Sequence, residues 1–198
     1  MTIAGTYEVD DIVRFERRGS GVRASVETLH TYDLTVIAAD VDGVVAAAGG
    51  WLCDRVRAGW QVTVLVPPGH DVTALTILGV RAAAVDSVAD ALRGHTPAAI
   101  AVDARVLSRD DRARRAVLRL VDGTRTEVTV WGESALFGSD ARFGRVAHRL
   151  SAAAQAFKAR AVATTGKVGP LHPAVEQFLS AALWYPPDGT DLAPAPEQ

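Results

Sequence analysis

Leu34-Thr35-Val36-Ile37-Ala38-Ala39-Asp40-Val41-Asp42-Gly43 is an apolar run, rich in β-branched residues, that ends in two carboxylates and a glycine. A continuous run of this kind predicts a strand buried on both faces, as in a parallel sheet covered by helices. Carboxylates just beyond such a strand fall at the start of the next helix, where its N-terminus favours the ionised form. Ligands of open α/β sheets bind outside the carboxyl ends of the strands. The stretch therefore predicts both a fold class and the rim on which chemistry would sit.

Beyond this turn, Val45, Ala48, Leu52 and Val56 follow a helical period closed by Gly59. Residues 61–66 read as a second buried strand, ended by Pro67-Pro68. Asp71 suits the cap of a short helix over 72–78, with Gly79 as its stop. A third strand over 81–85 precedes Asp86 or Ser87 as the cap of a helix reaching Leu92. A fourth strand is expected over 98–102, a helix over 108–121, and a fifth strand over 126–131. Ser139 is expected to open a long helix with Phe143, Val146, Ala147, Leu150, Ala154 and Phe157 on one face, and a last helix covers 173–183. Such alternation predicts right-handed crossovers in a Rossmann-like three-layer α/β/α domain, 31–185, with a mostly parallel sheet of about five strands. Residues 1–30 read as an N-terminal extension with a β-hairpin around Arg18-Gly19-Ser20-Gly21, and 186–198 as a disordered tail.

Composition narrows the function. The 198 residues are 48% hydrophobic, enough for one core, and the formal charge of −2 argues against a nucleic-acid binder, although arginines cluster at 105–119. No signal peptide and no apolar stretch of roughly 20 residues is visible, so a cytoplasmic protein without membrane contact is expected. Cys53 is the single cysteine, which rules out an internal disulfide and a cysteine-based zinc site. It reads as a packed thiol. G-x-G-x-x-G and G-x-S-x-G are absent, and the five histidines form no H-x-x-x-H or H-E-x-x-H pattern. His70 stands apart, because it follows strand two on the same rim as Asp40. Gly49-Gly50 lies too deep in the first helix to cradle a phosphate, so it reads as a close approach of helix to sheet. Asp40 or Asp42 is itself a candidate N-cap, and Asp110-Asp111 suits a solvated first helical turn.

Asp40-Val41-Asp42-Gly43-Val44 resembles the D-x-D-G-[TV] motif of haloacid-dehalogenase phosphatases, but the Ser or Thr expected after strand two is replaced by Pro67-Pro68. A longer stretch resembles the LmbE/PIG-L family of zinc-dependent N-deacetylases, whose members read approximately V-V-A-P-H-P-D-D-E and then G-G-T-L. Val36 to Val44, Gly49-Gly50-Trp51-Leu52 and Ala58-Gly59-Trp60-Gln61-Val62-Thr63-Val64-Leu65 match that opening without a gap. Leu78-Gly79-Val80, the strand ending in Asp103, and Ser108-Arg109-Asp110-Asp111-Arg112-Ala113 are similar to later pieces, the last in place of H-P-D-H-R-A.

This resemblance implies zinc ligands at positions 40, 43 and 111, where the chain has Asp40, Gly43 and Asp111. Gly43 offers no side-chain ligand, and both family histidines have become carboxylates. Asp42 is kept at the position of the general base and is expected to be vestigial. The leading expectation is a non-catalytic, pseudoenzyme domain without cofactor, binding a small ligand or a protein partner, itself included as a homodimer. Asp40, Gly43, His70 and Asp103 are its candidate ligand-binding residues. A second reading is a hydrolase holding Mg²⁺, Ca²⁺ or Mn²⁺ through Asp40, Asp42 and Asp111, since all-oxygen sites suit hard cations. A third is a nucleotide-binding module using the strand-end loops. Trp51 is expected to fill part of a former substrate pocket, and Trp60, Trp131 and Trp184 to pack in the core.

Overall fold

The apolar run is strand β1 (Asp33–Ile37), buried from Leu34 onward. The computed structural model describes residues 32–94, 97–123, 125–132, 140–166, 173–181 and 192–195, all within the compact unit Thr31–Gln198. The hairpin expected within 1–30, Ser139 and Trp184 lie outside the described residues.

After β1 come α1 (Val41–Arg57), β2 (Gln61–Val66), α2 (Thr73–Ile77), β3 (Arg81–Ala84), α3 (Val88–Ala91) and β4 (Ala99–Asp103). The second half holds α4 (Ala104–Arg109), α5 (Asp111–Gly123), β5 (Glu127–Trp131), β6 (Gly144–Arg149), α6 (Ala152–Thr164), β7 (Val175–Ala181) and β8 (Ala193–Pro194). The punctuation in the first half acts as its chemistry predicts. Asp40 accepts from the Gly43 amide as the N-cap of α1, Ser87 caps α3, and Asp71 accepts from the Thr73 amide. Gly59 and Gly79 end their helices at φ +91° and +78°, which an L side chain rarely adopts.

Among the described residues the sheet has eight strands in the order β3-β2-β1-β4-β5-β7-β6-β8. The first five pair in parallel, with Leu34 beside Val62 and Ala99. β7 then runs antiparallel to β5, β6 to β7, and β8 to β6. The architecture is the expected three-layer α/β/α, but the sheet is larger and mixed rather than five parallel strands. One face buries Leu34, Val36 and Ala101 with α1, α2 and α6; the other buries Ile37, Ile100 and Val102 with α4 and α5. No helix among the described residues is long and apolar enough to cross a membrane.

Three expected helices differ. The helix over 108–121 breaks at Asp110, whose carboxylate accepts from the Arg112 and Ala113 amides and restarts the chain as α5. The long helix from 139 is instead strand β6 and then α6, because Ser151 adopts an extended backbone and caps α6 through the Ala154 amide. Val146, Ala147 and Leu150 fit a helical period by coincidence, and Phe157 is exposed rather than buried. Within the segment 173–183, Val175–Ala181 is strand β7, with Glu176, Phe178 and Ser180 buried at a period of two. The expected disordered tail contributes Ala193–Pro194 to the sheet edge.

Gly49-Gly50 serves a close approach, to α6 and the loop before it as well as to the sheet, where Glu176 of β7 accepts from the Gly50 amide. A Cβ on Gly50 would fall 2.4 Å from Leu150 Cδ2. The corner is pinned by Asp54, which accepts from the Ser151 hydroxyl at 2.6 Å and amide at 3.0 Å and lies 2.9 Å from His148 Nε2. Burial raises the Asp54 carboxyl, yet the bonds from Ser151 and His148 outweigh it and hold the pKa below the ordinary value. Gly50→Ala is expected to destabilise the fold by about 1–2 kcal/mol in urea titration, since overpacking exceeds the gain in helix propensity. Gly123→Ala, at the end of α5 with open space around it, is the control and should be neutral or slightly stabilising.

Two buried ion pairs join the helical layer to the sheet. Arg55 Nη2 donates to both Glu127 oxygens at 3.1 and 3.2 Å, and its guanidinium lies 3.9 Å from the Trp60 ring centroid. Lys158 Nζ donates to Glu176 Oε1 at 2.6 Å. The same carboxylate accepts from the Gly50 and Trp51 amides in the middle of α1, at 2.9 and 2.7 Å. Trp51 is fully buried against Phe178, with ring centroids 5.0 Å apart. It is a core residue and is not among the residues that line the cavity at the ends of β1, β2 and β3. Cys53 is buried, and desolvation pushes its thiol pKa up.

Candidate functional site

The sheet order 3-2-1-4-5 reverses direction between β1 and β4, so the two strands diverge in connectivity at their carboxyl ends. A crevice at such a switch point is the usual ligand position of open α/β sheets. Here β1 delivers Asp40 and β4 delivers Asp103. Both are N-caps, of α1 and α4 respectively, which fixes the two carboxylates at helix starts facing one another.

Between them lies Arg105. Its Nε donates to both Asp103 oxygens at 3.1 Å, its Nη2 to Asp103 Oδ2 at 2.6 Å, and its Nη1 to Asp40 Oδ2 at 2.7 Å. The fork on Asp103 is the planar, two-bond arrangement that guanidinium makes best. Asp103 is 1% exposed and Arg105 42% exposed, so the cluster is anchored in the core and opens to solvent on one side. Hydrogen bonds to Asp103 first, and to Asp40 next, raise the Arg105 pKa well above its ordinary value. The guanidinium is thus a permanent cation held by two carboxylates.

Gly43 makes this arrangement possible. A Cβ built at position 43 would lie 2.2 Å from Arg105 Nη2 and 2.9 Å from Asp40 Oδ1. Any side chain there would displace the guanidinium. Position 43 is therefore glycine for room, its backbone being ordinary helix.

Asp40, Gly43 and Asp103, three of the expected site residues, come together around Arg105. The others do not join them. Asp111 is 69% exposed and pairs with Arg114 at 2.7 Å on its own helix. His70 is exposed on the loop after β2, and Asp42 stands in the first turn of α1. Among the described residues no group of three or more His, Cys, Asp or Glu side chains is placed to hold a metal ion. The all-oxygen cluster expected from Asp40, Asp42 and Asp111 is not formed. Beside the salt-bridged cluster, the ends of β1, β2 and β3 and helix α4 enclose a cavity of about 300 Å³. Ala38, Leu65, Pro67, Val85 and Val106 make its wall largely apolar, and Asp86, Arg109 and Asp110 also line it.

Among solved structures, a deacetylase–teicoplanin complex of the teicoplanin biosynthetic pathway superposes with a TM-score of 0.53 at 15% identity. It covers 75% of this chain and 97% of that one. A deacetylase triple mutant (Orf2*T) of the same pathway gives 0.52 at 13% identity, over 75% and 96%. This is the LmbE/PIG-L-like fold. At such identities the likeness concerns the fold alone. No family model matches the sequence, and no curated protein does. Within the LmbE/PIG-L-like fold, Arg105 lies beside positions 40 and 43, two of the three at which the resemblance implies zinc ligands.

Arg105 is the residue that sequence reasoning missed. One signal was available. Arginine in the first turn of a helix opposes the positive end of the helix dipole, so it is unfavourable there unless carboxylates hold it. Asp103-Ala104-Arg105 has that form, but only the fold brings in Asp40, 65 positions away.

Proposed function

We propose that this chain is a metal-independent ligand-binding domain on the LmbE/PIG-L-like fold, with a guanidinium standing where the family resemblance implies zinc. The observation that carries the reading is the contact of Arg105 with Asp40 across the space left by Gly43. A zinc ion needs three protein ligands and an open position. Position 43 supplies none, Asp40 is already engaged by a cation, and Asp111 is turned to Arg114. Zinc does not fit these residues. Asp42 is retained at the position of the family's base, and a base without a metal-activated water lacks the nucleophile it would serve. We therefore assign Asp42 no catalytic step.

The ligand is a small molecule with an apolar body, seated in the cavity at the ends of β1, β2 and β3. Its volume of about 300 Å³ is at the lower end for small-molecule sites, which are mostly apolar with a few fixed polar groups. Elemental analysis and a thermal-shift series with Zn²⁺, Mn²⁺, Mg²⁺ and Ca²⁺ test the metal-independence. The expected result is no stoichiometric metal and no shift. A rise above about 3 °C, equivalent to about 1 kcal/mol for a chain of this size, would overturn the reading. Ligand-observed NMR with a library of small apolar fragments tests the cavity. Hits should lose their signal with Val106→Trp, whose side chain fills the space, while hits indifferent to that change would reject the assignment.

A further inference from the structure

A second concave site lies away from the strand-end rim, between α3 and α5 on the outer layer. Arg112, Arg115 and Arg119 recur at i, i+3 and i+7 along α5 and so share one face of that helix. Opposite them Arg93 follows α3. The four arginines line one groove of about 440 Å³. Its remaining lining includes Ala89, Leu92, Ala116 and Leu120, an apolar floor beneath the charged rim.

The charge is not balanced locally. Asp90 is the acid at this site, pairing with Arg93 at 2.5 Å and lying 3.8 Å from Arg112. Among the described residues no carboxylate pairs with Arg115 or Arg119. Four guanidinium groups thus face one carboxylate in a chain whose formal net charge is −2. Solvated surface charge on such a chain has no reason to gather one sign in a concavity. The local field of the groove favours an anion, and the low-dielectric floor beneath it strengthens that preference.

We propose that the α3–α5 groove binds a small molecule that carries two or more phosphoryl groups on an apolar or aromatic body. Guanidinium forks match phosphate oxygens in pairs. Arg112 and Arg119 are seven residues apart, about 10 Å along the helix, so two phosphoryl groups engage both ends of the row with the side chains extended, whereas one phosphate would need both ends to fold inward over it. A ligand that spreads its charge along the row matches the extended arginines best. The enclosed volume falls in the range of small-molecule sites, and the apolar floor offers a surface that a nucleic-acid backbone alone would leave unused. The site is independent of the strand-end cavity and of the fate of the metal site.

The test is titration calorimetry of the full chain at fixed, moderate salt with four probes: inorganic phosphate, inorganic tripolyphosphate, adenosine triphosphate and a single-stranded DNA dodecamer. Tripolyphosphate and the nucleotide are expected to bind at one site, the nucleotide more tightly, and inorganic phosphate at least tenfold more weakly. Arg115→Ala/Arg119→Ala is expected to weaken both by tenfold or more. These residues are exposed, so the melting temperature should stay unchanged and show that the loss is local. Absence of tripolyphosphate binding, or equal binding by the double variant, overturns the proposal. Tighter binding of the dodecamer than of the nucleotide also overturns it, in favour of a polymeric nucleic acid.

Discussion

Glu176→Ala is expected to destabilise the domain by more than about 4 kcal/mol in urea denaturation, a large share of the stability of an ordinary domain. The carboxylate is 2% exposed and its partner Lys158 1% exposed, so truncation leaves an ammonium buried without a counter-charge. Breaking a buried pair in this way costs about 3–5 kcal/mol. Here the loss is larger, because Glu176 also accepts from the Gly50 and Trp51 amides inside α1. Each hydrogen bond lost in this way adds about 0.5–1.5 kcal/mol, against a total stability of about 5–15 kcal/mol for ordinary domains. The pair alone can be separated from the amides. Lys158→Met leaves Glu176 with two donors and should cost less than Glu176→Ala. In Lys158→Met/Glu176→Leu the charges are gone, and replacing a buried pair by apolar residues is often neutral. The two bonds from the α1 amides to the carboxylate are still lost, so about 1–3 kcal/mol should remain lost. A Glu176→Ala protein within about 1 kcal/mol of wild type would show that the carboxylate does not organise α1.

The same residue explains what the sequence could and could not reveal. From β1 to β4 the strands are short, largely apolar runs set off by Asp40, Gly59, Asp71, Gly79 and Ser87, each acting locally, so elements and their order along the chain were readable. β7 was not readable, because its buried face carries Glu176 and Ser180. A glutamate is acceptable there only through Lys158, 18 residues earlier, and amides 125 and 126 residues earlier. No window along the chain contains that information. β6, second from the sheet edge with its first residues exposed, has weak alternation, and Ser151 looked like one more residue in a helical period until its capping role was visible. The position of the candidate site was readable from where β1 ends. Gly43 could be read as the loss of a ligand, while the guanidinium that occupies the vacated space depends on packing between residues distant in sequence.

That substitution of a cation for a ligand side chain leads to the second large effect. Gly43→Asp alone should be poorly tolerated, since its Cβ would lie 2.2 Å from Arg105 Nη2. Arg105→Ala alone removes the cation from Asp103, which is 1% exposed, and from Asp40. It should cost about 1–3 kcal/mol, less than a wholly buried pair because Arg105 is 42% exposed and screened by solvent. Combined, the two changes relieve the clash and leave three carboxylates around an empty space at the switch point. Such a set repels itself without a cation and offers the all-oxygen donors that Mg²⁺, Ca²⁺ and Mn²⁺ prefer. The double variant is therefore expected to be the least stable of the three in chelator and to recover on addition of a hard divalent cation. At a cation concentration 100-fold above Kd the recovery would be about 2.7 kcal/mol, or several degrees in Tm for a chain of this size. Thermal melts of all four proteins with and without Mn²⁺ read this directly. Only the double variant should respond. If wild type responds equally, Arg105 does not take a cation's place; if the double variant is indifferent, Asp40 and Asp103 are held together by the guanidinium alone and do not converge without it.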